Sequence, residues 1–204
     1  NQVDSVVVNG SGVDLSYYCP RPMPVKIPVF LMIARLLGDK GVREYAEAAI
    51  KLKAHNPQAV FKLAGWIDES PDSIPKSELD SWINSGAIDY LGKLVDVRTA
   101  LSECSVFVLP SYREGTPRSV LEAMATGRAI ITTDAPGCRE TVRHGENGFL
   151  VPIKNVKALA DAMQMCIDQP ELVLSMAKNS LKIVTEKYDV NKVNKQMLGE
   201  MGFA

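Results

Sequence analysis

Two glutamates, Glu114 and Glu122, stand eight positions apart in the segment 111–127 (SYREGTPRSVLEAMATG), with threonine, proline and arginine between them. Thr116 is of a type that caps helix N-termini and Pro117 suits a first helical position, so a helix is expected to open there with free backbone N–H groups. Such an end attracts phosphate. Glu122, six residues past Thr116, then falls roughly 9 Å beyond the cap at 1.5 Å per residue. That span fits a nucleotide sugar. A diphosphate would sit at the helix end, Glu122 would accept hydrogen bonds from both ribose hydroxyls, and Glu114, in the preceding loop, would face the sugar. Carboxylates accept strongly from hydroxyls, and Gly115 permits close backbone approach. At an arbitrary spacing two glutamates are most simply solvated surface residues, so the surrounding chain has to decide.

The elements that must position this segment alternate between short apolar runs and longer stretches of helical period. Strands are expected at 5–9, 29–34, 60–64, 88–91, 106–110, 129–132 and 148–151. Helices are expected at 41–55, 76–85, 95–102, 117–126, 137–142, 156–168 and 172–187, with a last one over 188–204. Pro110 closes a strand, Gly127 follows a helix where a left-handed cap would sit, and Pro57 follows another. The fold class is α/β, a Rossmann-like doubly wound parallel sheet covered by helices on both faces. Ligands of such sheets bind beyond the carboxyl ends of the strands. The stretch 68–76 (DESPDSIPK) reads as a polar surface loop.

The wording EGTP with E-x7-E after an apolar strand resembles the signature of the large retaining glycosyltransferase family of GT-B type, which includes many bacterial polysaccharide-assembly enzymes. The likeness extends along the chain: NGSGVD at 9–14 is similar to the family's NGVD turn at the junction of its two halves, and ARLLGDKG at 34–41 to its GRL…KG motif, with Ala34 where glycine is frequent. FKLAG at 61–65, YLGKL at 90–94, PGCRE at 136–140 and NGFLVP at 147–152 also match. The resemblance implies that Arg35 and Lys40 hold the donor diphosphate and neutralise it as it leaves, with Glu114 orienting the sugar. It places Glu122 on the ribose, and Gly115, Thr116, Val120 and Leu121 along the phosphate and sugar, largely through main-chain N–H groups. Gly92 and Leu94 would flank the nucleobase. Packing is the alternative role for the side chains of Val120 and Leu121. Arg118 is either a phosphate or acceptor contact or an exposed helical arginine.

On this resemblance residues 1–204 form the C-terminal nucleotide-sugar-binding half of such an enzyme, the acceptor half being absent. The whole enzyme would move a hexose or N-acetylhexosamine, with retention, from a UDP-sugar to a glycan or polyprenyl-diphosphate-linked acceptor in surface polysaccharide synthesis. It would need neither metal nor cofactor, and would work in the cytoplasm, with peripheral contact at the inner membrane face left open. The isolated half is expected to bind donor with little turnover. Two rivals share the scaffold: a nucleotide-sugar-binding module without transferase activity, and a nucleotide-sugar epimerase or phosphorylase.

Composition narrows the remainder. A net charge of −1 over 204 residues gives no basic field for nucleic acid. The G-x-G at Gly10 and Gly12 lacks a third glycine, since Leu15 follows Asp14, so a dehydrogenase fingerprint is incomplete. Cys19, Cys104, Cys138 and Cys166 are scattered without metal-ligand spacing and are expected as reduced, buried thiols. His55 and His144 have no triad partners in view.

Overall fold

The structure is a computed structural model that describes residues 10, 12–24 and 28–202. The strand expected at 5–9, together with Asn9 and Ser11 of the NGSGVD segment, lies outside the described residues.

Six parallel strands form one sheet: β1 (Val29–Ile33), β2 (Val60–Ala64), β3 (Asp89–Gly92), β4 (Val106–Leu109), β5 (Ala129–Thr133) and β6 (Gly148–Val151), in the order β3-β2-β1-β4-β5-β6. The two central strands, VFLMI and VFVL, carry no polar residue because helices cover both faces of the sheet. Phe30, Leu31, Met32, Phe107 and Val108 are fully buried. The chain builds outward from β1 to β3, then returns to lay β4 against the other side of β1. The winding direction reverses between β1 and β4, and ligands of such sheets bind beyond the carboxyl ends of the strands at that point.

The helices are α1 (Val42–Lys53), α2 (Lys76–Asn84), α3 (Arg98–Ser102), α4 (Arg118–Ala125), α5 (Val156–Asp168), α6 (Pro170–Lys187) and α7 (Val190–Glu200). Each long helix presents one apolar stripe inward. In α1 that stripe is Val42, Tyr45, Ala46, Ala49 and Leu52, and the small alanines let α5 pack closely against it. Helix α4 buries Val120, Leu121 and Met124 and packs against α6. The described chain enters beside its own exit: Val13 donates to the Tyr188 carbonyl at 2.8 Å and accepts from Val190 N–H at 3.0 Å.

Three expectations need correction. In the stretch 137–142, residues 137–141 form successive turns rather than a helix, because Gly137 adopts φ +83° and breaks the helical run at its start. Helix α4 begins at Arg118, with Pro117 as the flanking residue in extended conformation, and Thr116 makes no side-chain cap. Cys19 is only partly buried, unlike the other three thiols. Burial pushes the Cys104 and Cys166 thiols up to about 12.

Arg128 is fully buried. Its guanidinium donates to the carbonyls of Leu101 (2.7 Å), Ser102 (3.1 Å), Gly127 (3.1 Å), Arg21 (3.2 Å) and Pro22 (3.2 Å). It thereby satisfies carbonyls at the end of α3 and ties the entering chain to the base of β5. Arg128→Met keeps much of the volume but strands these acceptors. We expect a loss of about 3 kcal/mol or more, read as a lower urea midpoint at unchanged slope; a midpoint within error of wild type would contradict this account.

Candidate functional site

The loops leaving β1 and β4 cross. The carbonyl of Asp39, in the single 3-10 turn Gly38–Lys40, accepts the N–H of Tyr112 at 2.8 Å and the hydroxyl of Ser111 at 3.2 Å. Gly41 then turns into α1 with φ +73°, so close to the β4 loop that an added Cβ would lie 2.2 Å from the Pro110 carbonyl oxygen. The crossing brings Lys40 Nζ to 2.8 Å from Glu114 Oε1, with the side chains only 15% and 18% exposed. Partial desolvation strengthens such a charge-assisted bond.

A third loop supports Glu114 from behind. Its N–H donates to the Pro136 carbonyl at 3.0 Å. Gly137 follows at φ +83°, where a Cβ would come within 2.0 Å of the Gly115 oxygen. The hydroxyl of Thr133, at the end of β5, donates to the Ser111 carbonyl. Loops from three adjacent strands thus fix one carboxylate and one ammonium at the crevice.

Next to them α4 begins. The N–H groups of Val120 and Leu121, expected to face a ligand, point instead to the Pro117 carbonyl at 3.1 and 3.2 Å, and both side chains are fully buried. Among the described residues, the N–H groups of Gly115, Thr116, Arg118 and Ser119 have no protein acceptor. These amides, with the positive end of the helix dipole, make the anion-attracting surface. The backbone of Gly10 lies against the Thr116 side chain and closes this end of the crevice.

Glu122, one turn into α4, opens onto a cavity of about 380 Å³ that Asp14, Tyr18, Arg118 and Val190 also line. Burial raises the Glu122 carboxyl above the usual carboxylate range, while a hydrogen bond from Tyr18 and the nearby Arg118 oppose the shift. Tyr18 is pushed up to about 12, by desolvation first and then by the Glu122 charge, so it stays protonated as a donor. A half-buried carboxylate that faces this cavity can accept hydrogen bonds from ligand hydroxyls.

Arg35 and the base-flanking loop lie on the β1-to-β3 side. Arg35 is half exposed and its Nη1 is 2.9 Å from Asp68 Oδ2. Gly92 ends β3 with φ +68°, and its carbonyl accepts the Gly65 N–H at 2.9 Å; Leu94 is partly buried nearby. Trp66, 42% exposed, has Lys93 Nζ 4.9 Å from its ring centre. Sequence reasoning missed Asp68 and Tyr18. The signal for Asp68 was its place three residues past Gly65, in a strand-to-helix loop of the kind that meets ligands; nothing local marked Tyr18. Among the described residues, no group of three or more His, Cys, Asp or Glu side chains gathers as metal ligands would, and no helix is long and apolar enough to cross a membrane.

A doubly wound parallel sheet with an amide-lined crevice at its switch point is the Rossmann-like α/β fold of GT-B glycosyltransferases. The family described as glycosyl transferases group 1 matches residues 21–183, and the chain belongs to it. It is 40% identical over 173 residues to the N,N'-diacetylbacillosaminyl-diphospho-undecaprenol alpha-1,3-N-acetylgalactosaminyltransferase of Campylobacter jejuni, covering 85% of this chain and 44% of that protein. The chain therefore spans under half the length of this relative. The Anabaena HepE protein in complex with UDP superposes with a TM-score of 0.82 at 24% identity, over 95% of this chain and 56% of that one. The C-terminal domain of a group 1 glycosyl transferase (LpcC) from Francisella tularensis superposes with a TM-score of 0.73 at 27% identity, over 87% of this chain and 99% of that one.

Because burial raises the folded-state value of Glu122, its share of folding stability is fully present below the ordinary value of 4.5 and is lost as pH rises through the raised one. Glu122→Gln removes that dependence. From pH 4.5 to 7 the variant should gain stability relative to wild type, because only wild type must ionise a desolvated carboxyl over that range. Urea melts at the two pH values measure this; a shift in wild type's favour would show that the carboxylate is not desolvated.

Proposed function

We propose that this chain is the nucleotide-sugar-binding half of a retaining GT-B glycosyltransferase. The whole protein moves a hexose or N-acetylhexosamine from a UDP-sugar to a polyprenyl-diphosphate-linked or other glycan acceptor held by a second half. The observation that carries this reading is the convergence at one crevice of the Lys40–Glu114 pair, the free amides opening α4, and Glu122 one turn further on. Membership of the group 1 family and the name of the Campylobacter relative, which specifies an undecaprenol-linked acceptor, support the reaction class and the acceptor. The UDP complex of the Anabaena protein supports the base.

The chemistry assigns a task to each group. The diphosphate rests on the amides of Thr116, Arg118 and Ser119. Lys40 bridges Glu114 and the β-phosphate, stabilising the negative charge that grows there as the glycosidic bond breaks. Arg35 adds a second cation to the same diphosphate. Glu114 accepts hydrogen bonds from sugar hydroxyls and, held by Pro136 from behind, keeps the ring in position. Glu122 takes the ribose hydroxyls, and the Gly92–Leu94 loop borders the base. This proposed route assigns no step to a metal ion, because side-chain cations and helix amides carry the phosphate charge. The work is placed in the cytoplasm, where nucleotide sugars are available, at the inner face of the membrane holding the acceptor.

Titration calorimetry of the chain with UDP, GDP and ADP tests the donor site. UDP is expected to bind selectively, and Glu122→Ala and Arg35→Ala to weaken it by about tenfold or more each, the scale of one or two charge-assisted hydrogen bonds. Binding of UDP that neither substitution alters would place the nucleotide elsewhere and overturn the assignment.

A further inference from the structure

The cations assigned to the donor diphosphate are not equally available. Lys40 is paired with a residue of the same site, and a phosphate can join that pair without breaking it. Arg35 is different. Its guanidinium is held by Asp68 at 2.9 Å, from the loop between β2 and α2, which has no task in the reaction as proposed. That loop is fastened along the β1 loop: Leu36 N–H donates to the Trp66 carbonyl (3.0 Å), Gly38 N–H to the Asp72 carbonyl (2.9 Å), Ile74 N–H to the Leu36 carbonyl (2.8 Å) and Asp39 N–H to Asp72 Oδ2 (2.7 Å). Asp68 itself is anchored by its N–H donating to Ser73 Oγ at 3.1 Å. Asp68 is about a quarter exposed, whereas the long Arg35 side chain is half exposed and has room to swing.

Resting on the donor-site reading above, we infer that Asp68 is an internal stand-in for the donor diphosphate. It occupies the Arg35 guanidinium in the empty site, and the nucleotide must take that cation from it. A guanidinium fork engages carboxylate and phosphate through the same donors. The fastened loop fixes the carboxylate, so the exchange is made by Arg35 moving between two anions. Asp68 thereby weakens donor and product nucleotide alike, and sets how readily the spent diphosphate leaves.

The test is a double-mutant cycle read by UDP calorimetry on wild type, Asp68→Asn, Arg35→Ala and the double variant. Asparagine keeps the size of the side chain and removes its charge. Asp68→Asn is expected to bind UDP on the order of fivefold tighter, the scale of releasing one part-exposed ion pair. In the Arg35→Ala background the same substitution should change affinity less than twofold, since the competed cation is gone. Weaker or unchanged binding by Asp68→Asn would make Asp68 a support for Arg35 rather than its competitor and would overturn the inference. A gain that persists without Arg35 would also overturn it, showing plain repulsion of the nucleotide. Failure of wild type to bind UDP at all would instead remove the donor-site reading on which the inference stands. Circular dichroism of each variant secures that the cycle compares folded proteins.

Discussion

The crossing of the β1 and β4 loops at the Asp39 carbonyl is the constraint on which the crevice depends. One peptide oxygen accepts from Tyr112 N–H and the Ser111 hydroxyl, and so joins chain segments more than seventy residues apart. Buried or half-buried backbone groups need partners, and here the partner of each loop is the other loop rather than its own strand. Gly41 makes the approach sterically feasible by carrying no Cβ toward Pro110. Lys40 and Glu114 meet because their backbones are already locked together, which lets two charged side chains lie mostly shielded from water without a large ordering cost.

The crevice is electrostatically balanced in a particular way. Its cations are matched by carboxylates, Lys40 by Glu114 and Arg35 by Asp68, while the α4 amides carry partial positive charge with no protein counter-ion among the described residues. An arriving anion therefore finds a fixed dipolar floor, a Lys40–Glu114 pair that it can join, and an Arg35 already engaged by Asp68. Affinity for a diphosphate is then set by the difference between two sets of charge-assisted bonds, not by the number of positive residues in the neighbourhood.

Much of this architecture was legible in the sequence. The strands Val60–Ala64 and Gly148–Val151 and the helix Val156–Asp168 fall at their expected bounds, because an apolar run between polar breaks, or a sustained 3.6-residue period, leaves few alternatives. The stretch 137–142 misled because its composition allows a helix, while tertiary packing of Gly137 on the Glu114 and Gly115 carbonyls demands a left-handed residue there. The α4 opening misled on similar grounds: Thr116 has the chemistry of a cap, yet it packs against Gly10 and leaves the capping position to Pro117. Pairings across long chain separations, Lys40 with Glu114 and Arg35 with Asp68, carry no local signature. They exist only once β1 sits between β2 and β4.

That strand order also has a temporal consequence. Of the six strands a ribosome releases β1, β2 and β3 before the others, but the other flank of β1 has no partner until β4 arrives, and the Ser111 carbonyl waits further for Thr133 at the end of β5. The crevice thus cannot assemble before β5, because it is closed by contacts of long sequence separation. A nascent chain halted before β5 would own every residue of the Lys40–Glu114 pair and still lack the frame that holds them face to face.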